Sequence, residues 1–480
     1  LKALLTIPNA TAVPLDAVPA LDLEGFRIAL IAGVDHGHRV SALFAHRAEL
    51  YAVLADDRAG LLHCARAPLP DELPSLVPAC PQVHMFEREL AEAGVKVTGH
   101  PWLKPVRKPL EYGEFFTIDG DEVHEVGVGP VHAGVIEPGH FRFQCHGEIV
   151  MHLEIALGYQ HRGVERALAT GPDKRSIHYV ETLAGDTSIG HATAYCELVE
   201  ALAAKRATPR AYTLRGIALE LERLANHTGD LGALANDVGF LPTASYCGRL
   251  RGDYLNLTAQ LCGSRFGRGM VRPGGVGFDV EPARVTEMHD RLASAARDTA
   301  EAASLLWTTG SVMARFEDVG RVTTETARAI GLVGPAARAC GLRRDIRKTH
   351  PSGIYQLVHL PVSTVETGDV FARAYLRWLE IERAIEYVRD QLHELPRGPI
   401  RRDIGPPRGD MFAVALVEGW RGEICHVAIT DAAGKLAMYK VVDPSFHNWT
   451  GLAIALRDQQ ISDFPLCNKS FNLSYCGHDL

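Results

Sequence analysis

Two hydrophobic periods divide this sequence. Around Gly147 apolar side chains recur every second residue, whereas beyond Ser188 they recur every third or fourth. Between His140 and Gly158, Phe141 and Phe143 fall on one face, and after the His146-Gly147-Glu148 turn Ile149, Met151, Leu153 and Ile155 fall on another. Period-two spacing about a glycine turn predicts a β-hairpin. His152 and Glu154 take its opposite side, where a solvated or partner-covered face is expected. In the second regime Leu214, Ile217, Ala218, Leu221, Leu224 and Ala225 keep helical spacing. Helices are predicted over 188–205, 209–234, 243–262, 281–315 and 368–394, and Thr208-Pro209 and Glu281-Pro282 read as helix starts. Long helices with short connections predict an antiparallel bundle. The Gly- and Arg-rich 263–280 segment between them reads as an ordered loop.

The flanks are mixed. Residues 23–33, 49–54 and 60–65 read as short strands from their branched and aromatic content, and 85–92 as an amphipathic helical turn. Gly and Pro between Gly99 and Pro105 close this first unit near residue 110. Strands return over 412–417, 424–429 and 436–442, with a turn at Asp431–Gly434. A last helix is expected over 448–458, then an irregular tail. The predicted fold class is α+β: a small N-terminal α+β domain (1–110), then a β-hairpin sheet packed on a long antiparallel helix bundle (111–480).

Composition narrows the function classes. The apolar share is 46% of 480 residues, ordinary for a globular core, and the net charge of −8 argues against a nucleic-acid partner. No uncharged apolar run reaches the ~18 residues of a membrane span. The start lacks the apolar core and cleavage pattern of a signal peptide, so no export leader is expected. The ten cysteines are scattered, no two closer than nine positions, which excludes a CxxC metal or redox motif and favours buried reduced thiols.

Ordered motifs run through the chain: Gly129-Pro130-Val131-His132, Glu137-Pro138-Gly139-His140-Phe141-Arg142, His161-Arg162-Gly163-Val164-Glu165, Arg338 with Asp345-Ile346-Arg347, Val417 to Glu423, and Asp443 to Trp449. Together they resemble the large subunit of group 4 nickel–iron hydrogenases and the related D-type large subunit of respiratory complex I. Phe86-Glu87-Arg88-Glu89 and Gly99-His100-Pro101-Trp102-Leu103 resemble the C-type subunit, fused as in formate-hydrogenlyase-like proteins.

The resemblance implies four thiolates for nickel and iron, because soft sulfur ligands hold and bridge those metals. Counting back from His191, the first cysteine pair falls on Ala184 and Thr187, and the second on Leu473 and Cys476. One sulfur of four remains, so the expectation is a large subunit without a nickel–iron site. The resemblance also implies a C-terminal extension that is cleaved after metal insertion; with Leu480 four residues after Cys476, no such maturation is expected. The quinone-reducing branch places a His four residues after the His132 position, here Ile136, and a Tyr on Gly185. His140 and Tyr179 are the substitutes to consider, and quinone is a candidate ligand.

The same resemblance assigns the remaining residues. Arg421 matches an arginine overhanging the pocket, as an anion holder or a loop anchor. Glu137 matches a carboxylate near it, as a proton relay or a turn cap. His132, Asp186, Thr187, Ser188, His191 and Cys476 are expected to line the residual cavity, and a mixed metal site of Cys476, His478 and Asp479 with Asp186 or His191 is the outlying option. Arg338, Asp345 and Arg347 are expected in buried ion pairs. The implied setting is a peripheral subunit on the cytoplasmic side of an inner membrane. The chain binds no cofactor itself, and its partners are an iron–sulfur small subunit and membrane-embedded ion-translocating subunits. Three functions follow: electron transfer coupled to ion translocation, quinone binding, or a redox-inactive adapter for another enzyme.

Overall fold

The computed structural model describes residues 3–107, 115–132 and 135–480. The chain opens with β1 (Leu5–Ile7), β2 (Thr11–Pro14), α1 (Leu23–Asp35), β3 (Arg39–His46), β4 (Glu49–Asp56), β5 (Leu61–Pro68) and α2 (His84–Glu92). The strand expected over 23–33 is a helix. Phe26, Ala29, Leu30 and Gly33 are its buried positions, a helical period, and Asp22 Oδ1 caps it by accepting the Gly25 N–H at 2.7 Å. Period and cap outweigh the branched content that suggested a strand. The antiparallel sheet runs β1-β5-β4-β3. β2 leaves it to pair with Met411–Gly419, so Val13 lies opposite Phe412. The first hydrophobic core is therefore shared: Tyr51, Leu54 and Phe86 pack in one cluster with Phe412, Val414 and Cys425. The expected division near residue 110 falls at residues 108–114, outside the described residues.

Next comes a three-stranded antiparallel sheet, with β6 (Val123–Val128) added to the expected hairpin of β7 (His140–His146) and β8 (Ile149–Ala156). The predicted shared face of Ile149, Met151, Leu153 and Ile155 is not kept. A bulge between Val150 and His152 shifts the register, so Ile149 and Met151 are exposed while Val150 and Leu153 are buried. The opposite face is also covered, by the chain itself. Glu154 is buried and accepts the Phe116 N–H at 2.9 Å, and the His152 ring lies 4.5 Å from that of Phe116.

The bundle comprises α3 (Ser188–Leu202), α4 (Pro209–Asp237), α5 (Leu241–Cys262), α6 (Pro282–Thr308) and α7 (Val370–His393). Thr208 Oγ1 caps α4 by accepting the Ala211 N–H, and Pro209 occupies the first turn. α4 is buried on nearly every face, against α5 and α7. The predicted 281–315 helix breaks at extended Thr309, and Gly310–Phe316 follows as a separate helix.

β9 (Met411–Gly419), β10 (Gly422–Thr430) and β11 (Leu436–Val442) form a sheet in the order β11-β10-β9-β2. α8 (Pro444–Ala455) starts four residues before the expected 448, because Asp443 caps it by accepting the Ser445 N–H at 2.8 Å. The expected irregular tail holds α9 (Phe464–Phe471) and the one-turn helix Tyr475–His478. Asp479 fastens this tail to the exit of the hairpin: its carboxylate accepts the N–H groups of Gly158 and Gln160 at 2.8 and 2.9 Å.

Candidate functional site

Two distant segments meet at the candidate site: residues 184–187, just before α3, and residues 472–476, near the chain's end. Arg421, in the tight turn between β9 and β10, joins them. Its Nη1 and Nη2 donate to the two carboxylate oxygens of Asp186 at 2.6 and 2.8 Å, and Nη1 also donates to Thr187 Oγ1 at 3.2 Å. Its Nε donates to the Asn472 carbonyl at 2.5 Å. The guanidinium carbon stands 3.9 Å from the Trp420 ring centre, and Trp420 Nε1 donates to the Asp186 carbonyl at 3.0 Å. Gly334, at φ +64°, passes under this turn; a Cβ there would come within 2.2 Å of the Arg421 carbonyl oxygen, so only glycine fits. Burial alone would raise the Asp186 carboxyl, but the Arg421 guanidinium outweighs it and holds Asp186 below its usual range. Asp186 keeps a third of its side chain exposed, so the pair stands at the solvent side of this junction.

Cys476 is the thiol at this junction. Its Sγ lies 3.4 Å from Ser474 Oγ, and the Gly185 N–H is directed at it. Burial, then the charge of Glu137, pushes the thiol up, so it stays protonated. Glu137 is half-buried and accepts from Gln160 Nε2 at 2.5 Å. Ala184 is fully buried and offers no donor atom, and Leu473 offers none either. One sulfur is a poor match to a centre held by four thiolates, so these residues do not fit a nickel–iron group.

Behind the pocket runs a buried polar line. His191 Nε2 lies 3.0 Å from Asp443 Oδ2, and His191 Nδ1 lies 3.1 Å from His426 Nε2. His426 Nδ1 lies 2.7 Å from Tyr439 Oη. Burial, then His191, keeps His426 neutral, and burial keeps Tyr439 a hydroxyl. The protons therefore order themselves: Tyr439 O–H donates to His426, His426 Nε2–H to His191, and His191 Nε2–H to Asp443. Such a line of hydrogen bonds polarises along its length and fixes the orientation of its rings. Glu222 reaches the start of α3 from α4 and accepts the Ile189 and Gly190 N–H groups at 2.8 and 3.2 Å. Burial raises it to about 8.

A second buried network supports the Arg421 turn. Arg338 donates to Glu380 at 2.9 Å and to Glu418 at 2.6 Å, while Arg347 pairs with Asp345 and Glu220 at 2.6 and 3.0 Å. Arg223 donates to the carbonyls of Glu418 and Gly419, the residues leading into the turn. The ion pairs expected for Arg338, Asp345 and Arg347 are thus present, and they tie α4 and α7 to β9.

The structure brings together Glu137, Asp186, Thr187, Arg421 and Cys476, with His191 on the line behind them. It leaves His132 and Ile136, which precede β7, exposed, and Tyr179 exposed on the one-turn helix Ser176–Val180. His140 sits on β7 with its ring 5.5 Å from that of Phe115. The mixed metal site is not assembled. His478 Nδ1 lies 2.9 Å from Asp479 Oδ1, Asp479 is spent on the hairpin exit, and Asp186 is spent on Arg421. Sequence reasoning missed Glu222, His426, Tyr439 and Asp443 as site residues. Only Asp443 carried a local signal, as an Asp-Pro helix start.

Comparison with known proteins fits this architecture. Residues 237–406 match the family model described as respiratory-chain NADH dehydrogenase, 49 Kd subunit. The carbon monoxide-induced hydrogenase of Rhodospirillum rubrum is 30% identical over 352 residues, spanning 73% of this chain and 97% of that protein. The chain belongs to the family of group 4 hydrogenase and complex I D-type large subunits. Within that family, formate hydrogenlyase subunit 5 of Escherichia coli is 29% identical over 433 residues (84% of this chain, 76% of that protein). NADH-quinone oxidoreductase subunit 4 of Thermus thermophilus is 29% identical over 371 residues (71% and 90%). By name, two of these relatives are subunits, one of a formate hydrogenlyase and one of an NADH-quinone oxidoreductase. Among the described residues no helix is long and apolar enough to cross a membrane.

Proposed function

We propose that this chain is the large subunit of a membrane-associated, complex-I-like assembly that works without nickel–iron chemistry. The observation that carries this reading is the donor set where residues 184–187 meet 472–476. It comprises one protonated thiol, a threonine hydroxyl that accepts from Arg421, a buried alanine and a leucine, under an arginine already engaged by Asp186. In this reading Ala184, Thr187, Leu473 and Cys476 occupy the places of the family's metal ligands. Residues 1–110 act as the C-type unit and 111–480 as the D-type unit. The chain binds no cofactor. An iron–sulfur small subunit sits beside the pocket, and membrane-embedded subunits on the cytoplasmic side couple electron transfer to ion translocation. Arg421, Asp186 and Thr187 position the site, Glu137 handles protons at its edge, and the Asp443–His191–His426–Tyr439 line holds the start of α3 in place behind it. Affinity isolation through a tag on this chain tests the partnership. The expected result is co-purified iron with an iron–sulfur electron paramagnetic resonance signal and membrane subunits; a chain isolated alone and iron-free from membranes contradicts it.

A quinone-binding role is the second reading. Gly185 is exposed, and a side chain built there would meet nothing within 4 Å, so the surface beside residues 184–187 is open to a ligand. A photoreactive quinone analogue would then label residues 184–187 or 472–476. Labelling elsewhere, or none, leaves the chain as an adapter that docks another enzyme onto the membrane subunits.

A further inference from the structure

At one end of the N-terminal sheet, far in sequence from the pocket, two imidazoles face one carboxylate. His38 leads into β3, Asp56 ends β4 and His63 lies in β5. His38 Nε2 stands 3.4 Å and His63 Nε2 3.8 Å from the same oxygen, Asp56 Oδ2. Neither contact has the length and direction of a hydrogen bond. One ligand atom from each residue lies within 4.8 Å of the others. Zinc holds imidazole nitrogen at ~2.0–2.1 Å and carboxylate oxygen at ~2.0–2.2 Å, which spaces tetrahedral donors roughly 3.3 Å apart. The two nitrogen–oxygen separations, 3.4 and 3.8 Å, are nearer to that spacing than to the length of a hydrogen bond.

Each ligand has a support that aims it. The other Asp56 oxygen accepts the N–H groups of Arg58 and Ala59 at 2.9 and 3.1 Å, which leaves Oδ2 free for the imidazoles. Thr6 Oγ1 lies 3.0 Å from His63 Nδ1, which leaves Nε2 as the inward atom. Outer partners of this kind fix ring orientation and tautomer in metal sites. His38 stacks on His63 with ring centres 4.9 Å apart; it is 7% exposed, and its Nδ1 has no hydrogen-bond partner. The neighbouring Arg39 is held by Asp57 and Glu423, so its charge is already matched. The Asp56 and His63 side chains are 19% and 13% exposed, enough to admit an ion and keep a water on it.

We propose that His38, Asp56 and His63 form a site for a divalent transition cation of the zinc class, with water completing a tetrahedral shell. The ion staples β3, β4 and β5 where the sheet meets the Asp345–His350 segment, against which Gly60 packs and to which the Leu61 carbonyl is linked through His350 Nε2. The full chain, stripped with chelator, is titrated with zinc, magnesium and cobalt. The expected result is one equivalent of zinc bound, a rise in Tm with zinc and none with magnesium, and tetrahedral cobalt absorption bands. His63→Gln should weaken zinc binding by on the order of 100-fold and Thr6→Ala by roughly 10-fold. Unchanged zinc affinity in His63→Gln overturns the proposal. So does the absence of tetrahedral cobalt bands in the wild-type chain, which decides the matter even if His63→Gln fails to fold. Thr6 is exposed, so its variant tests the support without disturbing the core.

Discussion

Asp186 and Arg421 decide what the pocket can attract. As long as the carboxylate occupies both guanidinium nitrogens, the cation offers little to an incoming anion. Asp186→Asn removes that competitor. Sulfate should then raise the Tm of the variant more than that of the wild type, and equal shifts would contradict the assignment. Glu222 makes a second residue-scale prediction. Its folded value of about 8 lies above the ordinary 4.5, so the folded chain holds a proton that the unfolded chain has lost between those values. The stabilisation from that proton is full below about pH 4.5 and is lost as pH rises through about 8, at up to about 1.4 kcal/mol per pH unit. Denaturant unfolding across this range should show the decline, and Glu222→Gln should flatten it. An unchanged slope would place the burial penalty elsewhere.

At the scale of elements, the tail and the helix starts carry the site. Asp479 holds the Tyr475–His478 turn against Gly158 and Gln160, and Cys476 rides on that turn. Asp479→Ala should therefore speed the reaction of Cys476 with an aromatic disulfide reagent severalfold while leaving the buried thiols slow; an unchanged rate would mean the tail is held by other contacts. Asp443 has two tasks, capping α8 and receiving His191. Asp443→Ala should cost about 1 kcal/mol for the cap and roughly 1–3 kcal/mol more for the unpaired imidazole, measured by denaturant unfolding. Elements with strong local signals were legible in the sequence: the hairpin about Gly147, the helix starting at Thr208-Pro209, and the strands around the Asp431–Gly434 turn. The 23–33 stretch misled because its branched residues hid a helical spacing of Phe26, Ala29, Leu30 and Gly33. The bulge after Val150 left no local mark, since it is set by pairing with a neighbouring strand.

At the scale of the molecule, the pocket depends on segments more than 280 residues apart, Gly185 and Cys476, held in one place by a shared scaffold. The resemblance named Asp186, Thr187, Arg421 and Cys476 from their motifs, and the fold brings Asp186, Thr187 and Arg421 into contact with Cys476 near them. The resemblance did not reach the His426–Tyr439 half of the polar line or Glu222, because nothing short of the fold brings β10, β11 and α4 to the start of α3. The exposed places of His132 and Tyr179 likewise follow from the fold and were not visible in their spacing. The central claim is that this family scaffold operates without its nickel–iron group. Nickel content measured on the purified native assembly, together with hydrogen-dependent dye reduction by the same sample, tests it most directly. The account predicts nickel far below one atom per chain and no hydrogen-dependent reduction; one nickel per chain with hydrogen-driven activity would contradict it.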